Sequence, residues 1–289
     1  MAAIPSPRKT ALVVASGDDI DRLIGEVLAE DGWEIQLVAD NNEALALAKN
    51  NPFDLIITGR KTRVPEDLEL LHKIRSSRPH VRLIILTDQW TPGDVTAAMR
   101  DGAFSYFSAP FEMGALAATI RSAMSQPCWD DGLEIISATP NWLILTARCD
   151  YETAQRLAQF LRGIRDPSIP EADKEQFITA LREILLNAME YGGSFDPSQH
   201  VVISLLHARR AIACRVKDPG QGFSLEELHH AAKDGSPDEI FRHTSVREEK
   251  GLRPGGFGIL LAKKLVDELI YNEQGNEVVL VKYLDAPSE

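Results

Sequence analysis

Positive charge is in short supply in this chain. Lys and Arg number 31 against 43 Asp and Glu, giving a formal net charge of -12 and a pI near 5.1. A nucleic-acid surface needs a basic face to displace counterions from phosphates, so direct DNA or RNA binding is excluded as an expectation. Cysteine is nearly as scarce. Cys128, Cys149 and Cys214 are odd in number, far apart and in no metal-ligand arrangement, which excludes a disulfide-stapled scaffold and a zinc knuckle. They read as small buried side chains in a reducing compartment. Long apolar runs are missing too: no segment approaches a membrane span, and no apolar core follows Arg8 and Lys9. The expectation is a cytoplasmic protein without membrane contact. Internal repeats and low-complexity tracts are also absent.

With 289 residues the chain has room for two domains, each with its own core. The first half alternates short apolar runs with helical periodicity. Strands are expected over 10–14, 35–38, 55–58, 83–87 and 104–107, and helices through Ile24, Ala44, Leu71, Ala98 and Ile120. Five such units, with strands apolar on both faces, predict a parallel sheet covered on both sides.

Thr87 ends the fourth predicted strand, Asp101-Gly102-Ala103 precedes the fifth, and Pro110-Phe111 follows it. In this order the segment resembles the receiver domain of bacterial response regulators, and the likeness implies a cis peptide at Ala109–Pro110. The chemistry of that family is missing. Ala15 and Ser16 stand where an acidic pair would hold Mg²⁺, Gly59 where an aspartate would accept the phosphoryl group, and Ala109 where a lysine would stand. Without those carboxylates the resemblance implies a phosphorylation-dead receiver used for docking or dimerisation. Asp54 is no substitute, because five residues of strand put it about 16 Å away. The pair Asp18 and Asp19 reads as a helix cap.

Gln126-Pro127 and the run Asp130-Asp131-Gly132 mark the seam. The domains are therefore drawn at 8–126 and 130–285. Two strands, 133–138 and 142–147, open the second domain, followed by a helix through Leu157 and Leu161. A helix over about 171–191 then carries Glu183, Asn187 and Glu190 on one stripe beside its apolar seam. A hairpin, 201–206 with 211–216, delivers Asp218 at the head of Asp218-Pro219-Gly220-Gln221-Gly222. A carboxylate only accepts, which suits an adenine amine, and the two glycines would clear room for the base. Residues 224–253 read as a lid with one helix near 225–232. The glycine cluster Gly255-Gly256-Phe257-Gly258 then breaks into an amphipathic helix, a pattern in which unpaired amides and the helix dipole attract polyphosphate. Strands over 268–271 and 278–283, with a turn at Gln274-Gly275-Asn276, close the chain.

Taken together and in this order, these motifs resemble the ATP-binding domain shared by gyrase, heat-shock chaperones, histidine kinases and anti-sigma-factor kinases, the GHKL α/β sandwich. The run NAMEYGG and the closing VDELIY are similar to the anti-sigma-factor serine kinases. The resemblance implies that Glu183 is the general base, Asn187 the Mg²⁺ ligand and Asp218 the adenine reader. It also implies that Gly220, Gly222, Gly255, Gly256, Phe257 and Gly258 frame the ATP. The implied activity is ATP-dependent serine/threonine phosphorylation of a STAS-type anti-anti-sigma partner, with a sigma factor as a further partner and a homodimer compatible with either domain. One departure stands near the last strand, where Asn276 and Glu277 replace the family's usual threonine and Glu277 would alter the adenine pocket. Two alternatives stay open. A non-catalytic ATP-gated binding module fits the same motifs. A histidine kinase fits them less well, since His72, His80, His200, His207, His229, His230 and His243 all lack the setting of a phosphoacceptor on a dimerisation helix.

Overall fold

The computed structural model describes residues 9–17, 19–89, 91, 93–125, 132–139, 141–164, 169–222 and 258–284. The chain divides into two compact units, one of residues 1–131 with 159–165 and the other of residues 132–158 with 166–289.

In the first unit, β1 (Thr10–Val14), α1 (Asp19–Glu30), β2 (Glu34–Val38), α2 (Asn41–Asn50), β3 (Leu55–Ile57), α3 (Val64–Arg75), β4 (Arg82–Thr87), α4 (Asp94–Arg100), β5 (Ser105–Ser108) and α5 (Met113–Ser125) alternate throughout. The five strands form a parallel sheet in the order β2-β1-β3-β4-β5. Strands β3, β4 and β5 are buried along their whole length, because helices cover both faces; β2, at the edge, is only partly covered. On one face Ala11, Val13, Leu55, Ile57, Ile84 and Leu86 form a core with Ile24 and Leu28 of α1 and Leu116 and Ile120 of α5. The peptide Ala109–Pro110 is cis.

In the second unit, β6 (Leu133–Thr139), β7 (Trp142–Arg148), α6 (Tyr151–Gly163, of which residues 159–163 group with the first unit), α7 (Glu171–Asn187), β8 (His200–Ala208), β9 (Ala211–Lys217), α8 (Gly258–Leu265), β10 (Glu268–Tyr271) and β11 (Glu277–Tyr283) build an antiparallel sheet with helices. Its strand order is β10-β11-β9-β8-β7-β6. Period-two burial places Leu145, Ile203, Cys214, Val216 and Leu280 on the covered face, against which α7 packs Phe177, Leu181, Ile184 and Leu185.

The long helix departs from expectation at its end. It is α-helical only to Asn187, and Ala188–Gly192 form a π-helical turn. Glu190 lies within that wider turn rather than on the regular helix that carries Glu183 and Asn187, and such turns concentrate at functional sites. Ser194 and Phe195 follow in the left-handed region, with φ 53° and 48°, as the chain doubles back so that the Phe195 amide donates to the Met189 carbonyl at 2.8 Å.

Candidate nucleotide site

Glu183 and Asn187 project from the last turns of α7 towards the first residue of α8. A Cβ built on Gly258 would stand 3.1 Å from Glu183 Oε2, 3.1 Å from Asn187 Nδ2 and 3.5 Å from Asn187 Oδ1. A carboxylate, a carboxamide and a helix start thus converge on one small space that glycine keeps open. Gly255, Gly256 and Phe257, like the expected lid and its helix, lie outside the described residues.

Asp218 lies at the end of β9, reached through a different set of glycines. A Cβ on Gly192, the last residue of the π turn, would fall 2.3 Å from Asp218 Oδ1, and one on Gly220 would fall 2.8 Å from the Gly192 Cα. Gly222, at φ +83°, sits where a Cβ would meet the Gln274 carbonyl oxygen at 1.9 Å. The absence of a Cβ at Gly220 and Gly222 lets the loop after β9 lie directly against Gly192 and against the Gln274–Asn276 turn. Burial pushes the Asp218 carboxyl above its ordinary range, against the Gly220 amide, which donates to Oδ1 at 2.8 Å, and its own backbone amide.

Asn276 and Glu277 part company. Glu277 takes a bidentate ion pair with Arg215 on the neighbouring strand, at 2.6 and 2.7 Å, which holds its carboxyl below the usual range. Asn276, by contrast, is buried, donates through Nδ2 to the Gly220 carbonyl at 3.2 Å and accepts from Asn272 at 2.9 Å. Tyr271 also belongs here: burial, and then the charge of Asp218, raise its phenol pKa. Burial, followed by the charges of Asp150, Asp218 and Asp196, pushes the Cys149 thiol up to about 11, and both Cys149 and Cys214 are buried and free. These thiols are inert, as their sequence setting implied. Arg182, the residue before Glu183, carries no motif and is not legible in the sequence, whereas Tyr271 closes the run VDELIY without any sign there that it faces Asp218.

The donor set fits ATP with Mg²⁺. Among the described residues no group of three His, Cys, Asp or Glu side chains could hold a metal alone, but Mg²⁺ arriving on phosphates needs only one or two protein ligands.

In the first unit the carboxyl ends of β1, β2 and β3 border a cleft of about 700 Å³ lined by Ala15, Ser16, Asn41, Gly59, Lys61 and Leu70 among others. A Cβ on Gly59 would lie 2.5 Å from the Val14 carbonyl oxygen and 2.9 Å from Ser16 Oγ, so the backbone has closed over the place of a phosphoacceptor side chain. Lys61 Nζ donates to the Ser16 carbonyl at 2.7 Å. Asp54 accepts the Thr10 amide at 2.9 Å, at the opposite end of the strands. The amides of Ser16 and Gly17 are capped by Asp21; Asp19 begins α1, and Asp18 lies outside the described residues.

Residues 146–282 match the family described as histidine kinase-like ATPase domain, and residues 11–121 match the response regulator receiver domain. Among curated proteins, the probable transcriptional regulatory protein TcrX of Mycobacterium tuberculosis is 25% identical over 115 residues, 40% of this chain and 49% of its own length. The transcriptional regulatory protein GlrR of Escherichia coli is 26% identical over 115 residues, 40% of this chain and 26% of its own. The chain thus spans between a quarter and a half of the length of these relatives. Among solved structures, a CheY-like receiver domain protein from Methanospirillum hungatei is 26% identical with a TM-score of 0.36, covering 40% of this chain and 92% of that one. No helix among the described residues is long and apolar enough to cross a membrane.

Proposed function

Because the chain joins a response regulator receiver domain to a histidine kinase-like ATPase domain, we propose that it is an ATP-dependent serine/threonine protein kinase and partner-switching regulator of the anti-sigma-factor type. Its substrate is a STAS-domain anti-anti-sigma protein, and its second partner a sigma factor. The reading is carried by the convergence of Glu183 and Asn187 on Gly258 at the start of α8. The unpaired amides and positive dipole end of that helix receive the phosphates. Asp218 accepts a hydrogen bond from the adenine amine, in a pocket that Asn276 and Gly192 brace from either side. Glu183 orients the partner's hydroxyl and takes its proton as the phosphoryl group leaves ATP in line. Asn187 would hold Mg²⁺, whose charge would offset that of the phosphates. The receiver unit docks or dimerises and accepts no phosphoryl group, consistent with the closed backbone at Gly59.

The test is transfer of γ-labelled phosphate from MgATP to a STAS-domain protein encoded beside the gene. Transfer to serine or threonine is expected, with Glu183→Ala lowering it about 100-fold or more. Transfer unchanged in that variant would remove Glu183 from the chemistry. ATP binding by the wild type with no transfer to any such partner would replace the kinase by an ATP-gated binding module.

A further inference from the structure

Residues adjacent in a helix point about 100° apart and do not ordinarily face each other. Arg182 and Glu183 do: Arg182 Nη1 donates to Glu183 Oε1 at 2.7 Å. The cause lies on a second helix. Arg182 Nε donates to Gln155 Oε1 at 3.0 Å and Nη2 to Tyr151 Oη at 3.1 Å, while the guanidinium carbon lies 5.9 Å from the Tyr151 ring centroid. Tyr151 and Gln155 are one turn apart at the start of α6, and Gln155 Nε2 donates to Tyr151 Oη at 2.6 Å. Three directions of the guanidinium are thus fixed by α6 and Glu183 together, a geometry that the planar fork of arginine satisfies and lysine does not. The pair is no loose surface contact, since the Arg182 and Glu183 side chains are 25% and 16% exposed.

Glu183 is therefore held from one side by Arg182 through Oε1, while Oε2 borders the space at Gly258 that Asn187 also borders. A carboxylate so placed poses a problem for any polyphosphate entering that space, because like charges a few ångströms apart in a half-buried site repel strongly. We infer that Arg182 is the charge compensator that allows Glu183 to stand inside a phosphate site. It is a positioning residue that acts through Glu183 and is itself held in place by Tyr151 and Gln155. The inference rests on the reading that ATP phosphates enter at Gly258, but not on whether they are transferred.

The experiment is a set of MgATP dissociation constants for the full-length chain, measured by calorimetric titration without any partner. Arg182→Gln is expected to weaken MgATP about tenfold and to change AMP, which lacks the outer phosphates, less than twofold. Glu183→Gln is expected to bind MgATP as well as the wild type or better. The double variant Arg182→Gln/Glu183→Gln should return to within about threefold of wild type, and Arg182→Lys, which keeps the charge, should stay within the same margin. Recovery in the double variant is the decisive reading, because a fold weakened by loss of the α6 contacts would not be repaired by removing a second side chain. Two results would overturn the inference: wild-type affinity in Arg182→Gln, or a double variant as weak as Arg182→Gln, which would make Arg182 a nucleotide ligand or a structural prop. If the wild type binds ATP but phosphorylates no partner, the kinase reading falls while these affinities still decide the role of Arg182.

Discussion

Asp67 shows how a single residue can carry a pH dependence that no motif announces. It lies in the first turn of α3 with no exposed surface, accepting from Asn41 Nδ2 at 2.7 Å, with Thr62 Oγ1 at 3.0 Å. Burial pushes its carboxyl up to about 7 from an ordinary 3.8; hydrogen bonds from Asn41, Thr62 and Thr58 oppose the rise and the charge of Glu66 adds to it. Between those two values the folded chain keeps a proton that the unfolded chain has lost. Its contribution to stability is therefore fully present below about pH 4 and is lost as the pH rises through about 7. At roughly 1.4 kcal/mol per pH unit the effect is on the order of 4 kcal/mol at most. Thermal unfolding of the receiver unit should show a melting temperature that falls by roughly 5 °C or more between pH 5 and pH 8, and Asp67→Asn should flatten that dependence. Parallel curves for the two proteins would remove Asp67 from it.

At the scale of elements, α7 and α8 meet at the proposed phosphate site with very different anchorage. Helix α7 buries eight side chains, among them Phe177, Leu181, Ile184 and Leu185, whereas within α8 only Ala262 is fully buried and Leu261 is 40% exposed. A helix with so little apolar surface withdrawn from water opens locally at low cost. Amides of α8 should therefore exchange with deuterium much faster than those of α7 in the absence of nucleotide. On addition of MgATP, protection of α8 should rise tenfold or more, because ligand bound at its start is lost on opening, while α7 changes little. Equal protection of the two helices without ATP would contradict this picture. Asn187 ends the regular helix, and Gly192, the last residue of the π turn, stands directly against Asp218.

For the molecule as a whole, the question is which unit receives a signal. The order β2-β1-β3-β4-β5 is that of a phosphorylated switch domain, yet Ala15, Ser16 and Gly59 occupy the positions that would bind metal and accept the phosphoryl group. Restoring one carboxylate should not restore the function. A side chain at Gly59 collides with the Val14 carbonyl at 2.5 Å, part of the backbone rather than a flexible tip. Gly59→Asp is expected to destabilise the receiver unit by about 2 kcal/mol or more. Intact-mass measurement after incubation with acetyl phosphate and Mg²⁺ should show no phosphoryl adduct on either the wild type or the variant. An adduct on the wild type would reopen the receiver as an input, and with it the assignment of switching to the ATPase domain.

The sequence by itself determined the element types, because period-two and period-3.6 patterns and glycine punctuation are local properties, so that β1 and β10 span the residues expected of them, and the fold of the second unit followed from the resemblance of its motifs taken in order. It also determined which chemistry the first unit lacks, since a missing carboxylate is visible without coordinates. Contacts across the chain were not legible. That Gly220 and Gly222 stand close against neighbouring backbone, that Glu277 is drawn to Arg215 while Asn276 braces the loop, and that Tyr151 and Gln155 turn Arg182 onto Glu183 all depend on residues far apart in sequence. Tertiary structure alone decided these, because the direction of a side chain is set by what packs against it, and the periodicity of its own helix or strand records nothing of that neighbour.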